Sequence, residues 1–210
     1  MRISKHGHAC VRIEHEGHVV VIDPGSFTSR EAVDGATAVL ITHEHADHLD
    51  LGHLAATRAP VFTVDDVAGH IRSGAPAVAE RTTVVAPGDT VDVGLPVRAV
   101  GERHAVIHDS LPVPANSGFV VTAGDTKVFH PGDSFELPGE AVDLFCLPVS
   151  APWTKLAEVM EHARAVAAPR TLAVHDRILS DVGLALTDGR VAAYLDGIGD
   201  YTRLPDGAEL

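Results

Sequence analysis

Six consecutive residues, His43-Glu44-His45-Ala46-Asp47-His48, carry three imidazoles and a carboxylate that could bind metal. They follow Val39-Leu40-Ile41-Thr42, an apolar and β-branched run that predicts a buried strand. The polar groups therefore fall at a strand end, where sites are usually placed. Neutral imidazole and carboxylate suit zinc and other borderline divalent ions. Four such groups exceed what one tetrahedral zinc needs if it keeps a position open for water. Alternation divides them. His43 and His45, two apart, can face the same way, and Asp47 and His48, further round the turn, can face a second ion. The spacing predicts two metals. The alternative reading is a polar surface loop whose histidines happen to cluster.

The same arrangement of a polar residue just past an apolar strand recurs downstream. His104 follows a strand over 96–101, and it can give the first ion a third nitrogen beside His43 and His45, a familiar catalytic zinc set. His108 competes for that place, and nearness to the strand end favours His104. Asp133 sits in Pro131-Gly132-Asp133-Ser134 after the strand Lys127–His130, and His175 follows Leu172-Ala173-Val174.

The elements that position these groups are legible in outline. Residues 9–15 alternate and, with the strand 18–22, read as a hairpin across Glu16-Gly17, ending in the turn Asp23-Pro24-Gly25. Residues 29–36 read as a short helix or loop, and 38–42 as the strand before the site. A helix is expected from Leu49 to Thr57, its amides able to orient Asp47 and its His53 facing solvent. A strand over 60–64, a helix over 65–71 and short strands over 82–86, 90–93 and 96–101 come next. Strands are then expected over 116–121, 127–130, 142–149 and 172–174, with helices over 154–167 and 187–196. This order suits a sandwich of sheets with helices outside. His6, His8, His15 and His18 are expected at the surface, although His8 lies near enough to approach a cleft. Trp153, the one tryptophan, either walls a substrate pocket or caps the core.

Composition narrows the function. The 210 residues are 45% hydrophobic, enough for a large core, and show no repeat or linker, so one domain over 1–210 is expected. A formal net charge of -13 repels phosphate backbones and argues against nucleic acid as partner. Fourteen histidines against two cysteines point to imidazole metal chemistry rather than a structural thiolate site. Cys10 and Cys146 lie in apolar strands and read as free thiols of a reducing cytoplasm. The N-terminus lacks the apolar segment of a secretory signal, and no run of about 18 apolar residues predicts a membrane span.

Thr42 to His48, followed in order by His104, Asp133 and His175, resembles the signature of the metallo-β-lactamase-fold hydrolases, and the chain looks closest to the branch that includes ascorbate-phosphate lactonase-like proteins. The resemblance implies an α/β, four-layer αββα sandwich of two mixed sheets flanked by helices, with a metal pair at one edge between them. It implies that Asp133 bridges both ions, that His175 joins Asp47 and His48 on the second, and that Asp23 supports the metal loop without touching an ion; a plain Asx turn explains Asp23 equally well. Two divalent ions, zinc foremost with manganese or iron also fitting, would hold a hydroxide near neutral pH for attack on a carbonyl or phosphoryl centre. Asp47 or Asp133 would accept a proton transiently. The expected activity is hydrolysis of a small-molecule ester, lactone or phosphoester. Arg103 either binds an anionic substrate group or is simply solvated. The competing readings are a non-catalytic metal-binding or regulatory protein that keeps the fold, and a nuclease, which the acidic charge disfavours. No flavodoxin-like partner domain is visible, so a diiron oxidoreductase is not expected. Substrate, resident metal and oligomeric state stay open.

Overall fold

The computed structural model describes residues 1–210. Its first sheet follows chain order: β1 (Arg2–His6), β2 (Cys10–His15), β3 (His18–Ile22), β4 (Ala38–Ile41), β5 (Val61–Thr63) and β6 (Thr82–Val84). The first three strands pair antiparallel and β3 to β6 pair parallel. The second sheet is β7 (Thr90–Asp92), β8 (Pro96–Val100), β9 (Gly118–Ala123), β10 (Thr126–His130), β11 (Leu144–Pro148), β12 (Arg170–Val174) and β13 (Asp200–Thr202). Here β7 to β10 pair antiparallel and β10 to β13 parallel.

Parallel neighbours need long crossovers, and the helices sit in them. α1 (Leu51–Ala56), α2 (Asp65–Gly74) and α3 (Pro76–Ala79) belong to the first sheet, α4 (Leu156–Val166) and α5 (Asp181–Leu195) to the second. Side-chain alternation decides what each face meets. Ile13, Val20, Ile22 and Leu40 point between the sheets, against Phe119, Val121, Val128, Cys146 and Val174. Val39, Ile41 and Val61 point outward onto Leu54, Val67 and Ile71. Phe129, Phe145 and Leu147 do the same against Val159, Ala163, Val191 and Leu195. β4 and β11 are buried on both faces, which is why AVLI and LFCLP carry no polar residue. The result is the αββα sandwich of two mixed sheets.

Several elements differ from the reading of the sequence. β1, α3 and β13 were not anticipated. The strands expected at 82–86 and 90–93 fall in different sheets, so the Pro87-Gly88 turn is where the chain changes layer. β9 starts at Gly118 rather than 116, which frees Asn116 for another task. α5 starts at Asp181, six residues before the expected 187, because the Ser180 side chain caps the Gly183 amide. α1 is shorter than 49–57, and the Asp50 side chain accepts the His53 amide at its start, so Asp50 and not Asp47 is the carboxylate at that end. His53, expected in solvent, is buried. Both cysteines are free and buried, and burial pushes their thiols up. No helix is long and apolar enough to cross a membrane.

Candidate metal centre

The site begins where β3 and β4 end side by side. Asp23, just past β3, is fully buried, and its carboxylate accepts the Thr42 amide at 2.8 Å, the Thr42 hydroxyl at 2.7 Å and His48 Nδ1–H at 2.7 Å. The Thr42 oxygen, its own proton given to Asp23, accepts His43 Nδ1–H at 3.0 Å. Asp23 thus sets two imidazoles so that each turns its Nε2 toward the centre. Of the two earlier readings of Asp23, support for the loop fits this network. Gly25 is required beside it, because a Cβ there would collide with the Asp47 carbonyl.

His104 and His175 are oriented in the same way, Nδ1–H donating to the Ala105 carbonyl and the Ser150 carbonyl, each at 2.5 Å. His43 Nε2 faces His45 Nδ1 at 3.1 Å, a spacing at which two ring nitrogens share either a proton or a cation. Asp133 Oδ1 is 3.1 Å from His48 Nε2, and its Oδ2 lies 3.2 Å from His175 Nε2 and 3.4 Å from His104 Nε2. Asp47 Oδ2 lies 3.3 Å from His175 Nε2 and 3.9 Å from His48 Nε2.

The ligand atoms fall into overlapping groups, each within 4.8 Å: His43, His45, His104 and Asp133; His48, Asp133 and His175; and Asp47 with His175 and His8. All seven residues singled out in the sequence meet here, and Asp133 stands in two groups. His108 does not take part; it is exposed and bonded to Ser110. His8, expected at the surface, is instead fully buried at the centre.

A divalent cation suits this donor set. Nε2 of His48, His104 and His175 and Oδ1 of Asp133 are buried without a hydrogen-bond partner. An unpaired buried polar group costs about 1–3 kcal/mol, and cations here would satisfy all four atoms. Electrostatics agree. Burial would push the Asp133 carboxyl up, but His48 and His175 hold it well below the usual carboxylate range. Burial likewise opposes ionisation of Asp47, and the His175 and His8 rings facing it overcome that, so that carboxyl also lies below its ordinary value. Burial, then the neighbouring His48, pushes His43 well down. Burial would lower His175, but Asp133 outweighs it and brings it up to about 9; His48, beside Asp133 and Asp23, is also raised against burial.

The Asp133 turn is held from three sides. Asn116 Oδ1 accepts the Asp133 amide at 3.1 Å while its Nδ2 donates to the Pro131 carbonyl at 2.9 Å. His130 accepts the Gly132 amide on Nδ1 and donates from Nε2 to the Ala9 carbonyl at 2.9 Å, tying the two sheets together. Trp153 Nε1–H donates to Asp133 Oδ2 at 2.8 Å, so Trp153 meets a candidate ligand directly. Gly132, at φ 63°, faces Asn116 and Thr42 so closely that a Cβ would clash with both. His175 adopts φ 59°, a conformation side chains resist, and the turn after it is fixed by a buried Lys5–Asp176 pair at 2.9 Å.

Asp47 and His45 are the candidate ligands most open to solvent. Beside His104 runs a groove of about 470 Å³ lined by Arg103 to Val106 and Ser134 to Leu137. Phe135, at its wall, stacks edge-on against Trp153 at 5.0 Å. A larger cavity of about 580 Å³, between α1, α3 and Arg81, touches none of the candidate ligands.

A family model described as the beta-lactamase superfamily domain matches residues 2–175, a span that holds every candidate ligand. The chain belongs to the beta-lactamase superfamily. It is 36% identical over 200 residues to protein Rv0786c of Mycobacterium tuberculosis, covering 91% of each chain. It is 29% identical over 202 residues to a UPF0173 metal-dependent hydrolase of Aeropyrum pernix, covering 81% of this chain and 79% of the relative. The superfamily fold is shared with the solved structure of Igni18, a metallo hydrolase from the archaeon Ignicoccus hospitalis. That likeness has a TM-score of 0.75 at 18% identity and covers 100% of this chain and 97% of Igni18.

Proposed function

We propose that this superfamily member is a metal-dependent hydrolase that cleaves an ester, lactone or phosphoester bond of a small molecule, with two divalent cations held side by side. One observation carries the reading: four buried, unpartnered ligand atoms, on His48, His104, His175 and Asp133, converge from four separate chain segments. His43, His45 and His104 would hold the first cation, Asp47, His48 and His175 the second, and Asp133 both. Zinc is the first choice for this imidazole-rich set, with manganese and iron as alternatives. Cations bound there supply Lewis acidity toward a carbonyl or phosphoryl oxygen and lower the pKa of a water.

The chain's own residues do the rest. Trp153 and Asn116 fix Asp133, so its carboxylate does not reorient as charge develops. Asp47, at the mouth, is placed to take up a proton and pass it to solvent. Phe135, Val106 and Leu137 line the groove beside His104 and suit an apolar substituent of the substrate. The net charge of -13 disfavours a nucleic-acid substrate. Two buried free thiols suit a reducing, cytoplasmic setting.

The test is to strip and reload the protein, count bound cations, and assay ester, lactone and phosphodiester panels. Turnover lost on stripping and restored on reloading is expected. Undiminished turnover by stripped protein overturns the metal role. A fully loaded protein that turns over no panel member favours the non-catalytic reading.

A further inference from the structure

His8 lies in the short connection between β1 and β2, fully buried, with its Nε2 unpartnered and 3.4 Å from Asp47 Oδ2. Its ring centroid is 3.9 Å from that of His175. Position alone makes it a candidate nitrogen ligand, since it groups with Asp47 and His175.

The other ring nitrogen decides otherwise. His8 Nδ1 accepts the backbone N–H of Arg177 at 3.0 Å. A backbone amide can only donate, so Nδ1 carries a lone pair, and a ring with a lone pair on Nδ1 has its proton on Nε2. An Nε2–H cannot ligate a cation. His48, His104 and His175 show the opposite polarity: each donates from Nδ1 to an oxygen, so that Nε2 is the nitrogen left to give a cation its electron pair. With cations bound, one imidazole at the centre would therefore point a hydrogen inward where these three point electron pairs.

That hydrogen has one acceptor within reach. Around the Asp47 carboxylate, His48 and His175 would give their Nε2 atoms to a bound cation, and His8 alone would keep a proton to donate. The ring is clamped at two points, because the His8 carbonyl also accepts the His175 amide at 2.9 Å. The clamp in turn rests on the buried Lys5–Asp176 pair.

We propose that His8 is a positioning residue: its Nε2–H donates to Asp47 and holds that carboxylate, the most exposed of the candidate acidic ligands, in the orientation the second cation needs. This rests on the two-cation reading above.

The first measurement uses wild-type protein with ¹⁵N-labelled histidine, cation-free and then loaded with ¹¹³Cd²⁺. Long-range ¹H–¹⁵N spectra are expected to show His8 as the Nε2–H form throughout, without coupling to cadmium, while His48 and His175 couple through Nε2. Cadmium coupling to His8, or a proton on its Nδ1, overturns the proposal. The second measurement titrates cation into His8→Leu and His8→Gln. Leucine is expected to weaken the second cation about tenfold or more and leave the first unchanged. Glutamine, which can accept from Arg177 and donate to Asp47, is expected to restore most of that affinity. Unchanged second-cation affinity in a folded His8→Leu variant overturns the proposal; if that variant does not fold, the wild-type spectra decide. A wild type that binds one cation would remove the two-cation reading, and the tautomer in cation-free protein would still decide whether His8 is the donor to Asp47.

Discussion

Asp23 and Thr42 are joined twice across the ends of β3 and β4, Asp23 Oδ1 to the Thr42 amide and Oδ2 to the Thr42 hydroxyl, at 2.8 and 2.7 Å. The same Oδ2 also takes His48 Nδ1–H, so one carboxylate aligns ligands expected on different cations.

Asp23→Ala should therefore damage both positions together. It strands buried donors on Thr42 and His48, and an orphaned group costs about 1–3 kcal/mol. Cation affinity should fall about 10–100-fold at each position, with a lowered melting temperature. Isothermal titration and thermal denaturation check this; loss at one position only would show that Asp23 serves a single imidazole.

Trp153 is the only tryptophan and donates to Asp133, so intrinsic fluorescence should report directly on the centre. Loading with Co²⁺ should quench it. Trp153→Phe keeps a ring beside Phe135 but removes the donor, and should lower turnover about tenfold with little change in stability. Emission that ignores cobalt would place the cation away from Asp133.

The cation-free protein should lose stability as pH rises. His175 titrates near 9 in the folded chain, above the ordinary value of 6.5, because Asp133 outweighs burial. The stabilisation from its proton is complete below pH 6.5 and disappears as pH passes 9. Cation binding displaces that proton, so affinity should rise over the same window, about tenfold per pH unit for each proton released. Calorimetry from pH 6.5 to 9 should show melting temperatures of free and loaded protein diverging. Parallel curves would contradict this.

Lys5→Met should be severe. It leaves Asp176 buried without its partner, at a cost of about 3–5 kcal/mol, and loosens the turn that carries His175. Adding Asp176→Leu should recover most of the stability, measured by denaturant unfolding. A double variant as unstable as the single would mean that packing, not charge, sets the cost.

The cluster of candidate ligands was legible because its members lie in loops just past apolar strands, which is a local pattern. What escaped the sequence depends on distant partners. β1 reads RISKH, and its Lys5 is buried only because Asp176 waits for it across the fold, so the strand and His8 after it leave no apolar signature. Asn116 looks like the first residue of a strand, and only the Asp133 amide reveals its use. Asp23 has the same Asp-Pro-Gly surroundings whether it closes a turn or anchors His48. The first turns of α5 expose Val182 and Leu186, which blurs the amphipathic pattern that marks a helix start. β13 is a three-residue edge strand whose pairing with β12 no neighbouring residue announces.

The clamp between His8 and the 175–177 turn also bears on the order of events during synthesis. The imidazole pair at 43 and 45 leaves the ribosome early, yet His175 and the Arg177 amide emerge only after most of the chain. The finished cradle waits on a contact between segments about 170 residues apart in the chain, the kind of long-range pairing that forms late. A product truncated before β12 would lack both His175 and the amide that holds the His8 ring, so it could not close the candidate centre.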